Sequence, residues 1–396
     1  YGGDVQDLGA GGLRLGRQLV ALKRRHPTRV HVLAGNRDLN KFRFTAELSD
    51  ADLRRDAASI PRPHWSAKLP TLSEHLAAVS KPDSRAERLQ YILHHTLGCP
   101  KTFEHRRAEL ALLQGGGDIS DDAVVASFRD EVAAGKDGAL RSYLEVAELA
   151  AVVGNTLFVH GAVDRRTMRA VPRVPGVRFE VCSPDLEFDF YDSVAEWAAA
   201  LNAALRRGLA DHAARPEWDA ARTTRGGEAL AAFQNRCAVA GRSVVSNAYS
   251  SGGAWPNAAV QAESNAKAAR AEQDPLQWEG VLSDPRDSSV AEWLRASGIR
   301  RVCVGHKPSG DSPAVLSSDY TGVEIISADT SYSDPAAGPT ADGDAPRGCA
   351  VACVTLRGAS AEVNHAEISG VLKDGRRHEA SLRTLKMGIV ELGTRH

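Results

Sequence analysis

The sequence lacks an excess of charge of either sign: 49 Lys and Arg residues face 50 Asp and Glu, a formal net charge of −1 at pH 7. That balance excludes a general nucleic-acid binder, whose phosphate contacts demand a basic surplus. A small phosphorylated substrate, which needs only a few local cations, stays allowed. No run of 18 apolar residues occurs, so no transmembrane segment is expected. The six cysteines form no CxxC pair, and a chain of 396 residues does not depend on disulfide staples. Cys303 and Cys353 sit in apolar runs and read as small buried hydrophobes, which fits a reducing, intracellular setting. A Gly-x-Ser-x-Gly elbow is missing, which leaves a Ser/His/Asp hydrolase no starting point. The glycines of Gly9-Ala10-Gly11-Gly12-Leu13-Arg14-Leu15-Gly16 lack both the Gly-Lys-Ser/Thr ending of a P-loop and dinucleotide-fold spacing. A tight strand-to-helix turn accounts for them.

The residues that are present read as a globular α/β chain: 43% hydrophobic and 25% charged. Length alone, at roughly 150 residues per domain, predicts two to three domains. Leu13, Leu15, Leu19, Val20 and Leu22 make an apolar helical stripe ended by Pro27, and Val30 to Ala34 reads as a short buried strand. From Phe42 to Val153 the texture is helical, with no alternating strand pattern. Strands return at Thr156–Val159, Arg301–Val304, Val323–Ile326 and Ala350–Leu356, with a long helix over Phe190–Leu209. Ser289-Val290-Ala291-Glu292 has the capping-box pattern, Gly298 stops that helix, and Asp374-Gly375 predicts a hairpin turn. Asn247–Ala271 and Ser333–Gly348 read as loop-like tracts. The chain opens on Tyr1-Gly2-Gly3-Asp4 rather than Met, so the natural start, with any targeting signal, is expected to lie upstream.

Four short signals each close a predicted strand: Gly3-Asp4-Val5-Gln6-Asp7, Gly35-Asn36-Arg37-Asp38, Phe158-Val159-His160-Gly161 and Gly305-His306-Lys307-Pro308. Together they offer oxygen and nitrogen ligands suited to Mn, Fe or Zn. In this order they resemble the calcineurin-like binuclear metallophosphoesterases, which string together Asp-x-His, Gly-Asp-x-x-Asp, Gly-Asn-His-Asp/Glu, His and Gly-His. Ala328-Asp329-Thr330 resembles a further segment of some members. The resemblance implies a central β-sandwich of mixed sheets flanked by helices. The core spans residues 1–41 and 154–396, with 42–153 as a helical insertion. That arrangement turns the two to three domains into one framework.

On that resemblance Asp4 would bridge two divalent ions, and Asn36, His160 and His306 would complete the shell of one. Asp7, Arg37 and Asp38 would form the catalytic group, with Asp7 orienting its neighbours, and Arg37, Lys41 and Arg43 would face substrate. The implied activity is a phosphatase reaction, in which a metal-bound hydroxide attacks phosphorus in line. Its substrate would be a small phosphoester, a nucleotide or a phosphoprotein.

Two departures bear on it. No Asp-x-His occurs in the 396 residues, so this chain is expected to hold one ion and a longer protein two. Arg37 stands where the family carries histidine, and arginine does not serve as a general acid near neutrality. It can grip a phosphate oxygen, which points to leaving groups that need little protonation, such as phosphoanhydrides or aryl esters. The competing expectations are that Arg37 pairs with Asp7 or Asp38, and that the chain is a catalytically impaired binding or assembly subunit with the insertion as its protein-contact surface. Arg106-Arg107 reads as a structural helical face, and His94-His95 as two rings about 100° apart on a helix. Lys307 and Asp311 flank the last histidine.

Overall fold

The computed structural model describes residues 1–62 except 8, 69–173 except 166, 188–228 except 222–223, 283–330 except 311 and 318–321, 351–382 except 359–364 and 373, and 389–390. Isolated positions 230, 245, 247–249, 262 and 266 are also described. Asp311, the tract 333–348 and most of 247–271 lie outside the described residues.

A six-stranded mixed sheet sits at the centre, in the order β1 (Ala150–Val153), β2 (Thr156–Val159), β5 (Arg301–Val304), β7 (Glu324–Ser327), β6 (Ala314–Ser317), β11 (Ile389–Val390). Strands β2, β5 and β7 run parallel, and the outer pairings are antiparallel. The parallel trio is buried, as expected of strands covered on both faces. A second sheet, β8 (Val351–Arg357), β9 (His365–Val371) and β10 (Arg377–Leu382), is wholly antiparallel. The two sheets share a small core of Cys303, Val315 and Ile326 against Ala366 and Ile368. A short ribbon pairs β3 (Ala170–Pro172) with β4 (Phe188–Phe190). The chain is thus mixed α/β. Among the described residues no helix is long and apolar enough to cross a membrane.

The helical stretch shares the main core with the sheet rather than standing off from it. Helix α1 (Gly12–Arg25) lies against the later helix Ala139–Val146, whose Tyr143 hydroxyl donates to Leu33 O at 2.5 Å. The start of α1 carries no acidic residue of its own. Glu109, on the helix Thr102–Leu113, supplies the missing acceptors to the Leu13 and Arg14 amides at 3.2 and 3.1 Å. Trp197 and Trp293, from the helices Val194–Ala214 and Ser288–Ala296, meet edge to face at 5.4 Å. Each indole N–H finds a backbone carbonyl.

Several local expectations change. Val30–Ala34 makes one bridge, Leu33 to Glu148, because its neighbours there are a single extended residue and the Tyr1 carbonyl rather than full strands. The stretch read as strand-free ends in β1, which Gly154-Asn155 folds back onto β2. Ala150-Ala151-Val152-Val153 has too little alternation to announce itself. The helix expected from Phe190 begins at Val194, capped by Ser193 and Glu196, with Phe190 in β4. Asp287, not Ser289, caps the helix before β5, since its carboxylate reaches the Ser289 and Val290 amides. Asp374-Gly375 does lie in the β9–β10 turn, within a five-residue loop. Cys353 is exposed, on the outer face of β8, while Cys99 and Cys303 are buried.

His212 gives the fold a pH dependence. It is 1% exposed, bonded to Thr45 and facing the Arg141 guanidinium at 3.2 Å. Burial first, then Arg141, lowers its pKa to about 4. The unfolded chain, with an ordinary histidine near 6.5, binds the extra proton between those values. The contribution of this histidine is therefore complete above about 6.5 and falls by up to about 3 kcal/mol as pH drops toward 4. Unfolding free energies from urea at pH 7.5 and 5 should show about 2 kcal/mol of that loss from this histidine, and His212→Gln should shrink it; an unchanged difference would refute the assignment.

Candidate metal centre

The parallel pairing of β2 with β5 brings their carboxyl ends side by side, and each is followed directly by a histidine or by a glycine and then a histidine. His160 and His306 rings lie 5.3 Å apart. Gly305 N donates to His160 O at 2.9 Å and locks the two turns together. Such strand ends are where α/β sheets collect functional groups. Across from them come the turns bearing Asp4 and Asn36, joined by the Leu33 amide on Tyr1 O at 2.9 Å.

The two turns touch so closely that they require glycine. A Cβ on Gly35 would fall 2.1 Å from Asp4 Oδ1, and one on Gly3 would fall 2.7 Å from both Gly35 N and His160 Nδ1. Asp4 and His306 are non-glycine residues at φ 55° and 68°. Conformations of this kind cost roughly 1–3 kcal/mol each and persist where the surrounding structure enforces them.

Asp4, His160 and His306 each offer one ligand atom, and these atoms all lie within 4.8 Å of one another. Asn36 Oδ1 completes the group, 3.0 Å from His306 Nδ1 and 3.3 Å from His160 Nε2. His160 Nδ1–H donates to Gly2 O at 2.5 Å, which fixes the ring and turns Nε2 toward Asp4 Oδ2, 3.5 Å away. That orientation, with the outer nitrogen bound to a carbonyl and the inner one facing oxygens, is the one metal-ligating histidines adopt.

Charge follows the same logic. Burial alone would push Asp4 up, but His160, with Arg37 and His306, holds it well below the usual carboxylate range. Burial opposes a charge on His160, yet the Asp4 carboxylate raises it to about 8. Burial, then His160, keeps His306 well below 6.5, hence neutral. Several acceptor atoms thus lie close together and must share a positive charge, either a proton on His160 or a cation. The donor set of Asp4, His160 and His306, with Asn36 Oδ1 beside it, is of a kind that could hold a divalent metal.

Arg37 donates its backbone amide to Asp4 Oδ1 at 3.0 Å and its Nε–H to Leu97 O at 3.0 Å, with Asp4 Oδ2 4.0 Å away. The expected pairing with Asp7 or Asp38 is not made. Asp38 is fully buried and accepts the amides of Asp4, Val5 and Gly35 at 2.8, 3.0 and 2.9 Å. Burial and the neighbouring Asp4 charge push it up to about 6. It splices the two turns.

Lys41, expected to face substrate or solvent, is 1% exposed and bonded to both Asp7 oxygens at 3.0 and 3.2 Å. Asp7 thus holds Lys41, whose Nζ also donates to Arg37 O at 3.2 Å. Arg43 turns to Glu47 and to Thr96 Oγ1, 3.1 Å away, not to Asp4. Lys307 and Asp329 come just after β5 and β7, and Asp329 O takes the Ser309 amide at 2.7 Å. His94 and His95, on a π-helical turn Ile92–Thr96, stack at 4.2 Å and 9° instead of diverging.

Sequence reasoning missed the Gly2 and Leu97 carbonyls, since backbone acceptors leave no residue-type signature. Leu97-Gly98-Cys99-Pro100 does carry a turn signal that could have drawn notice. It also missed Gln6, which links Arg106 Nη2 (3.0 Å) to Glu131 (3.0 Å) and ties the Asp4 loop to the helices. No protein-family model, curated protein or solved structure matches this chain.

Proposed function

We propose that the chain is a metal-dependent phosphoric ester hydrolase, a phosphatase of the calcineurin-like metallophosphoesterase type, in which Asp4, Asn36, His160 and His306 hold Mn, Fe or Zn. One observation carries the reading. Four residues chosen from motif order alone, as far apart in sequence as Asn36 and His306 (270 positions), come together. Asn36 lies 3.0 Å from His306 and 3.3 Å from His160, His160 lies 3.5 Å from Asp4, and the Asp4, His160 and His306 ligand atoms are all within 4.8 Å of one another. A divalent ion there supplies Lewis-acid charge neutralisation of a phosphoryl group and acidifies water. The chain's own residues do the rest. Gly2 O orients His160, Asp38 fixes the Asp4 and Asn36 turns, and Arg37 brings a permanent positive charge beside Asp4. A second reading, a metallophosphoesterase-type binding subunit with impaired catalysis, is favoured by Arg37 itself, whose Nε–H is committed to Leu97 O where the resemblance leads one to look for an acid.

Calorimetric titration of the chain with Mn²⁺, paired with hydrolysis of 4-nitrophenyl phosphate, tests both. Binding should weaken on the order of 100-fold in Asp4→Asn and His160→Ala, and Mn²⁺-dependent hydrolysis should vanish with it. Binding without hydrolysis selects the subunit reading. A chain that binds no divalent ion sinks the phosphatase reading.

A further inference from the structure

The helical stretch enters the site through one turn. Leu97 closes the π-helical turn with its amide on Ile92 O at 3.0 Å, Cys99 N returns to Leu93 O at 2.9 Å, and buried Cys99 and Phe103 anchor the start of the next helix. This rigid turn aims the Leu97 carbonyl at Arg37 Nε. Gly98, at φ +63°, sits beside the guanidinium: a Cβ there would stand 3.9 Å from Nη2.

A guanidinium carries five N–H donors in one plane, and the Leu97 contact uses one. Among the described residues Nη1 and Nη2 have no hydrogen-bond partner, and the side chain is 20% exposed. Arg37 is thus a cation held at Nε beside the Asp4–His160–His306 cluster, Nε 4.0 Å from Asp4 Oδ2, with Nη1 and Nη2 left without hydrogen bonds among the described residues. A guanidinium fork matches two oxygens on a single centre.

Resting on the phosphoesterase reading, we infer that the Leu97–Gly98 turn makes Arg37 the substrate-reading residue, and that the site takes a terminal phosphoryl group: a phosphomonoester or the end phosphate of an anhydride. The choice follows from counting oxygens. The fork takes two, and the cation pocket needs at least one more. A terminal phosphoryl group has three free oxygens, whereas a phosphodiester has two. The planar fork, not charge alone, does the selecting, and the Leu97–Gly98 turn is the positioning element.

The test uses the Mn²⁺-loaded chain with inorganic phosphate and with dimethyl phosphate as probes, both followed by calorimetry. Wild type should bind inorganic phosphate, and Arg37→Ala should weaken it about 10- to 100-fold with Mn²⁺ affinity changed less than about threefold. Arg37→Lys should not restore it, because an ammonium lacks the fork. Dimethyl phosphate should bind wild type no better than it binds Arg37→Ala. Gly98→Val, strained at positive φ, should weaken phosphate in the same direction, while Gly98→Asn, which tolerates that region, should recover it. Unchanged phosphate affinity in Arg37→Ala, or full rescue by lysine, overturns the inference while leaving the metal centre standing. A wild-type chain that binds no Mn²⁺ overturns the reading beneath it as well.

Discussion

Asp38→Ala should cost the protein most of its stability. The Asp38 carboxylate is the acceptor for three amides packed around it, those of Asp4, Val5 and Gly35, and its side chain is shut off from solvent. Truncation leaves all three donors stranded. At roughly 1–3 kcal/mol for each, the loss is about 3–9 kcal/mol, against a total of about 5–15 kcal/mol for an ordinary fold. The melting temperature should fall by on the order of 10 °C or the chain should fail to fold. Asp38→Asn keeps one acceptor oxygen but turns an amide toward backbone donors, so it should fall between wild type and Asp38→Ala. If Asp38→Ala melts within about 1 °C of wild type, the splice assigned to this carboxylate is wrong.

The second large effect is expected at Lys41. Its Nζ lies between both Asp7 oxygens and Arg37 O, with the lysine and aspartate side chains 1% and 2% exposed. Taking one charge out of a buried pair leaves the other without compensation, at about 3–5 kcal/mol. Lys41→Met should lose that amount in urea unfolding. The double variant Lys41→Met with Asp7→Leu should recover much of it, since two apolar groups of similar size demand no partner. Additive losses in the double-variant cycle would mean that the two residues do not act as a pair. Because Lys41 also holds Arg37 O, the single variant should perturb the Arg37 turn, a link visible as weaker phosphate binding.

The turns that carry Asp4, Asn36, His160 and His306 were legible because each polar group stands at the end of an apolar run, a contrast that residue types display openly. The strands β2 and β5 were legible for the same reason. Their support was not. Lysine reads as solvated in almost any sequence, and only the neighbouring Asp7, brought in across 34 positions, shows why Lys41 is inside. Asp38 looked catalytic because its motif carries chemistry, while its actual partners are backbone amides, which almost every residue possesses. The stacked His94 and His95 rings depend on an i to i+5 turn, whose geometry is set by packing of Leu93 and Leu97 rather than by local propensity. Strand β1 emerged only through pairing with β2, so no reading of Ala150–Val153 alone reveals it.

The hydrogen bond from His306 to Asn36 also bears on how the chain acquires its shape. It closes a loop of 270 residues, and β5 cannot take its place beside β2 until more than 300 residues of chain exist. On a ribosome, at about 5–20 residues per second, the Asp4 and Asn36 turns therefore wait on the order of ten seconds or more for their last partner. During that interval the Asp4 and Asn36 turns have the Asp38 splice and the Lys41–Asp7 pair, all within the first 41 residues, and then the contacts from residues 97–148, such as Leu97 O on Arg37 and Arg106 and Glu131 on Gln6. The bonds that carry stability in the finished molecule are also the first of the site's bonds that the growing chain can make, before the second half of the site is synthesised.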